Sequence, residues 1–127
     1  MLDTHAWIWW VDDPRRLSQR ARTAIETADR IGVSAISCWE VGTLVARGRL
    51  ALDRDVRVWV DQALTRERVE PLPVSPTVAL AAAMLDRQRF PLDPADRVVY
   101  STALAEHRTL VTKDRLLRAY DPDRTLW

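Results

Sequence analysis

The stretch DPADRVVYSTALAEHRTLVTKD, residues 93–114, decides how the chain folds. Asp93-Pro94 reads as a helix N-cap followed by a first helical residue, where the missing proline N–H costs nothing. The spacing predicts a helix from about Pro94 to Glu106 with Val98, Val99 and Thr102 turned inward. Leu110-Val111-Thr112 then has the character of a short buried strand, and Lys113-Asp114 ends it with charge. A helix feeding a strand across a short connection is half of an α/β unit.

The rest of the chain repeats the pattern. Short β-type runs occur at Met1-Leu2, Ile31-Gly32-Val33, Val69 to Leu72 and Leu126-Trp127, each beside a segment with helical spacing. Ser18 is placed to cap a helix with Ala21, Ala24, Ile25 and Ala28 on one face. Asp53 or Asp55 can cap another carrying Val56, Trp59, Val60, Ala63 and Leu64. Ser75-Pro76 begins a helix that buries Val78, Ala81, Ala82 and Leu85. Such alternation predicts a parallel sheet with helices on both faces. With no repeat, low-complexity tract or linker, one domain over residues 1–127 is expected.

Composition narrows the class without naming a partner. A hydrophobic fraction of 47% supports a core, and 19 basic against 18 acidic residues leave a net charge of +1. Any nucleic acid must therefore be held by a local patch rather than by the overall field. The basic residues are nearly all Arg, with Lys113 the single Lys. One cysteine, Cys38, rules out an intrachain disulfide and fits a reducing cytoplasm. Asp3, Asp12 and Asp13 break any signal-peptide pattern, and no apolar run approaches membrane-spanning length, so no membrane role is expected.

Four carboxylates occupy equivalent places in this scheme. Asp3 follows the first strand, Glu40 lies early in the helix after Val33, Asp96 is in the first turn after Pro94, and Asp114 follows Leu110-Val111-Thr112. Ligands of open parallel α/β sheets gather beyond the carboxyl ends of the strands, so one rim would carry all four. Two carboxylates about 4 Å apart repel by roughly 4 kcal/mol at an effective dielectric near 20. Oxygen-only donors select hard cations such as Mg²⁺ or Mn²⁺, and His5 and His107 alone cannot build a histidine-rich zinc site. Each acid also has a purely structural reading. Ser37-Cys38-Trp39-Glu40 matches a capping box, and Asp93, Asp96, Asp114 and Asp3 all suit helix N-termini.

Four segments together carry a resemblance. Leu2-Asp3-Thr4-His5 is followed by Ser34-Ala35-Ile36-Ser37-Cys38-Trp39-Glu40-Val41 with Gly48-Arg49-Leu50. Next come Pro91-Leu92-Asp93-Pro94-Ala95-Asp96-Arg97 and then Leu110-Val111-Thr112-Lys113-Asp114. In this order they resemble the PIN-domain nucleases, specifically toxins of the VapC type, over almost the whole chain. The resemblance implies an α/β/α sandwich around a short central parallel sheet of about four to five strands. It also implies metal-dependent endoribonuclease activity on RNA, with Mg²⁺ or Mn²⁺ as cofactor, and a cognate antitoxin that blocks the site. Asp3, Glu40, Asp96 and Asp114 fall on the family's four acids, and Thr112 on the small polar residue beside the last.

Around that set, Thr4 and Thr112 are expected to fix the carboxylates, and Asp93 to support from its N-cap position. Arg97 is placed to face phosphate or to pair with Asp93. Family members usually carry several apolar residues before the first acid, whereas only Met1 and Leu2 precede Asp3, so the first strand is expected to be a stub in the sheet's centre. In the apolar run Trp7 to Val11, Trp7 and Ile8 are expected in the core and one of Trp9 and Trp10 at a homodimer or antitoxin contact. Trp39 and Trp59 are expected to be packing residues. Two other classes compete: a receiver-like phosphate-handling signalling domain, suggested by Thr112-Lys113, and a non-catalytic interaction module whose acids only cap helices. The receiver pattern lacks paired acids after the first strand and an acceptor Asp after Val69 to Leu72.

Overall fold

Leu2 is the hinge of the sheet. In a computed structural model describing residues 1–86, 90 and 93–127, this one residue bridges in parallel to Val33 on one side and Val111 on the other. Its amide donates to the Gly32 carbonyl at 3.0 Å, and the next amide, Asp3, to Val111 at 3.1 Å. Val33 belongs to β1 (Ile31–Ser34), itself paired with β2 (Val69–Leu72) in the register Ile31↔Val69 to Ser34↔Leu72. On the other side β3 (Leu110–Val111) pairs with β4 (Thr125–Leu126). The order is β2, β1, Leu2, β3, β4, parallel throughout. The central stub expected before Asp3 is thus as short as one residue, and its backbone groups are paired on both sides. Pro71 can lie in β2 because, among the described residues, that strand pairs on one side only, leaving its missing N–H facing outward.

The helices are α1 (Thr4–Asp12), α2 (Gln19–Glu26), α3 (Ala35–Ala46), α4 (Val56–Leu64), α5 (Pro76–Met84), α6 (Pro94–Ala105) and α7 (Arg115–Tyr120). Side chains of consecutive strand residues leave opposite faces of the sheet. Leu2 and Val111 accordingly join Trp7, Ile25, Val41, Trp59 and Ala63 in one core, while Met1 and Leu110 join Val99, Tyr100, Phe90 and Leu117 in another. Layers on both faces give the expected α/β/α arrangement.

Local chemistry sets the helix starts. Ser18 caps α2 through the Ala21 amide at 3.1 Å, Ser75 caps α5 through Val78 at 3.2 Å, and Asp55 rather than Asp53 caps α4 through Arg57 at 2.9 Å. Asp53 instead pairs with Arg54. After α3, Gly48 takes a left-handed φ of 66°, which glycine adopts without steric cost. α2 stops at Glu26, so Ala28 lies beyond it, and Ala81 is exposed on α5. Pro91 and Leu92 of the third motif segment lie outside the described residues.

The tryptophans divide differently from expectation. Trp7 and Ile8 are buried, and Trp59 is buried with its indole N–H donating to Asp12 at 2.8 Å. Trp9 is 8% exposed and packed edge-on against Trp127. Trp10 is half-buried under Arg66. Trp39 is 61% exposed and corrects the packing role expected for it. Ser37 and Val41, one turn apart on α3, face the interior, and position 39 stands about 200° from each.

Candidate metal-binding cleft

At the carboxyl ends of the strands opens a cleft of about 380 Å³, and Asp3, Glu40, Asp93, Asp96 and Asp114 line it. Helix starts put four of these acids there. Asp3 is the N-cap of α1, its Oδ1 accepting from the Ala6 amide at 2.6 Å. Asp93 caps α6 through the amides of Ala95 at 2.8 Å and Asp96 at 3.1 Å, which sets Asp96 in the first turn. Asp114 caps α7 through Leu116 at 2.7 Å and Leu117 at 2.9 Å. In Asp93 and Asp114 a single oxygen, Oδ1, accepts both amides, so capping leaves the second oxygen for another partner. The structural and the functional readings of these acids are therefore compatible.

Glu40 arrives by a different route. α3 begins after Ser34, so Ser37 lies inside the helix and the expected Ser37–Glu40 capping box does not form. Glu40 instead accepts a hydrogen bond from Thr4 Oγ1 at 2.6 Å, and the same hydroxyl lies 3.0 Å from Ser37 Oγ. Thr112, fully buried, ties two more acids together: its hydroxyl accepts from the Asp114 amide at 3.0 Å and donates to the Asp3 carboxylate. Ser34 Oγ and Thr102 Oγ1, 3.2 Å apart, join β1 to α6, the helix that carries Asp96.

Electrostatics report the convergence. Asp96 is pushed up to about 8, first by burial and then by repulsion from Asp93, Glu40, Asp3 and Asp114 in that order. Burial also pushes the Asp3 carboxyl up, against hydrogen bonds from Thr112 and the Ala6 amide, with His5 lowering it and Glu40 raising it further. Like charges crowded in a half-buried cleft favour either protons or a cation. Oxygen donors of this kind suit a hard divalent ion. The acids line the walls without meeting at one point: among the described residues no three Asp, Glu, His or Cys side chains form a ready-made cage. An ion here would keep part of its own water shell, as Mg²⁺ does readily.

Arg97 requires a correction. It neither faces phosphate nor pairs with Asp93, because its side chain is buried, with Nε donating to the Ala82 carbonyl at 2.9 Å and Nη1 to Phe90 at 2.8 Å. Nη2 donates to Ala83 at 3.5 Å and to Leu85. The carbonyls of Ala82, Ala83 and Leu85 belong to the C-terminal end of α5, whose last acceptors have no intrahelical partners and carry the negative end of the helix dipole. Conversely His5, Trp9, Lys113 and Arg115 line the cleft although none of them is expected among the site residues. Adjacency is the signal they carry, since His5 is two residues from Asp3 and Lys113 and Arg115 flank Asp114. The receiver-like reading finds no support: Asp12 bonds Trp59, and β2 runs into Pro73 rather than an acceptor acid.

Comparison with known proteins agrees with this geometry. The PIN domain family model matches residues 1–122. The chain is 42% identical to Ribonuclease VapC22 of Mycobacterium tuberculosis, over 100% of this chain and 97% of that protein. In three dimensions it superposes on a chain from the crystal structure of VapBC2 from Rickettsia felis bound to a DNA fragment from their promoter. The TM-score is 0.72 at 19% identity, covering 99% of this chain and 96% of the other.

Proposed function

The chain belongs to the PIN-domain family, beside its VapC ribonucleases, and from that premise we propose that Asp3, Glu40, Asp96 and Asp114 form the metal centre of an endoribonuclease toxin. The enzyme hydrolyses RNA phosphodiester bonds, and ribonucleases of this family depend on metal. One observation carries the assignment to these residues: acids from α1, α3, α6 and α7 or their caps line one cleft. Helix capping alone does not require four separate elements to bring acids to one cleft.

Mg²⁺ or Mn²⁺ held by these oxygens would supply polarisation of the scissile phosphate and a water acidic enough to attack it near neutral pH. Asp3 and Asp96 are the direct ligands in this reading, with Glu40 and Asp114 binding or orienting the ion's waters. Thr4 holds Glu40, and Thr112 couples Asp3 to Asp114. Asp93 supports by fixing the first turn of α6. An antitoxin protein is the expected partner, in keeping with the VapBC assembly to which the fold is similar.

The test is cleavage of total cellular RNA by the purified chain with Mg²⁺ or Mn²⁺, with and without chelator. Expected is cleavage that chelator stops and that Asp96→Asn lacks while keeping its circular dichroism. Cleavage insensitive to chelator, or full activity in the Asn variant, overturns the assignment.

A further inference from the structure

His5, Lys113 and Arg115 share the cleft with five carboxylates, yet among the described residues none of the three joins an ion pair. Lys113 Nζ stands instead 5.3 Å from the centre of the Trp9 ring. That is within the distance at which an aromatic face holds a cation. Trp9 is a fixed platform: it is braced by Trp127 at 5.7 Å and His5 at 5.8 Å, and the Arg16 guanidinium lies 4.4 Å from its centre. Lys113 is thereby parked at the mouth of the cleft instead of neutralising its neighbour Asp114.

An RNA strand brings a negative charge with every nucleotide to this acidic cleft. A cation in the cleft compensates the phosphate being cut but not the phosphates on either side. The net charge of +1 offers no general attraction, so the strand needs local positive groups that the acids have not consumed. We infer that Lys113, held on Trp9, and Arg115 at the start of α7 form a clamp for the phosphates flanking the scissile bond. Arg115 offers a planar fork to phosphate oxygens, and Lys113 a compact point charge. Both side chains are exposed, so neither is needed to complete the core.

The clamp rests on the ribonuclease reading, and its test separates the two. Wild-type protein, Lys113→Ala, Arg115→Ala and Lys113→Arg are compared on the same pool of total cellular RNA in Mg²⁺ across a range of salt. Each alanine variant is expected to raise KM about tenfold while kcat changes far less, and Lys113→Arg to restore most of the loss. Losing one phosphate contact flattens the log–log salt slope by about 0.7, so a fourfold rise in salt costs the variant about 2.6-fold less than it costs wild type. Wild-type protein that cuts no RNA defeats the ribonuclease reading itself. Wild-type cleavage with unchanged KM and salt slope in both alanine variants overturns the clamp alone, and so does a loss confined to kcat.

Discussion

Asp96 and Arg97 are consecutive on α6, and the two faces of that helix treat their charges in opposite ways. Arg97 is buried with its donors spent on four carbonyls from the end of α5 onward, and its guanidinium sits 5.7 Å from the centre of the Phe90 ring. Asp96 is half-buried among four other acids, and its carboxyl is held near 8. A buried charge whose partners are complete holds elements together. A buried charge surrounded by its own sign lowers stability and marks a place prepared for a ligand. One residue of offset on a helix separates architecture from chemistry.

Asp96→Asn breaks the contrast most sharply. On the proposal that Asp96 binds the metal directly, its loss forfeits several kcal/mol of charge stabilisation, so kcat/KM should fall by about 10³-fold or more in a metal-dependent cleavage assay. The same variant should be more stable than wild type when metal is chelated. An acid raised in the folded state favours folding while protonated, so its contribution is complete below about pH 4 and is lost as the pH climbs toward the folded value. That value is about 8. Thermal melts in chelator should therefore coincide near pH 4 and diverge with rising pH, Asn melting higher by several degrees at neutrality. Added Mg²⁺ should reverse the order, because ligand binding to the folded state stabilises wild type preferentially. Parallel melts at every pH would show that Asp96 is not crowded at all.

Arg97→Ala tests the opposite face. It strands the carbonyls of Ala82, Ala83, Leu85 and Phe90 and leaves a gap beside Phe90, so urea unfolding should lose about 3 kcal/mol or more. Activity per folded molecule should stay near wild type at low temperature. A large fall in kcat with unchanged stability would return Arg97 to the phosphate-facing role that its position in the motif suggests.

What could be read from residues alone follows the same division. The strands and most helix starts were legible because apolar runs and Ser, Asp and Pro caps act locally. The acids were legible as a rim for a related reason: an N-cap acid is fixed by its own helix, and the topology brings helix starts to one edge. Arg97 was not, because its partners lie outside α6, at the end of α5 and at Phe90, and no local rule distinguishes an Arg near a helix start aimed inward from one aimed outward. The half-turn between Trp39 and the buried pair Ser37 and Val41 was present in the spacing, but a large aromatic ring outweighed it. Thr4 and Thr112 gave only their type and neighbourhood, while the Glu40 and Asp3 oxygens they reach come from the folded chain.

Thr112→Val gives the mildest test of how far the cleft's order depends on its supporting hydroxyls. Valine keeps the shape of this fully buried residue but removes the donor to Asp3 and the acceptor for the Asp114 amide. Stability should drop by about 1 kcal/mol, the cost of leaving such groups unpaired. Groups that orient metal ligands typically contribute 10–100-fold, so kcat/KM should fall by roughly that factor and more Mg²⁺ should be needed for half-maximal rate. Thr4→Val loses the bond to Glu40 instead and should do the same through a different acid. If the double variant falls short of the product of the single effects, the two hydroxyls position one shared ion; if the effects multiply fully, Glu40 and the Asp3–Asp114 pair act independently.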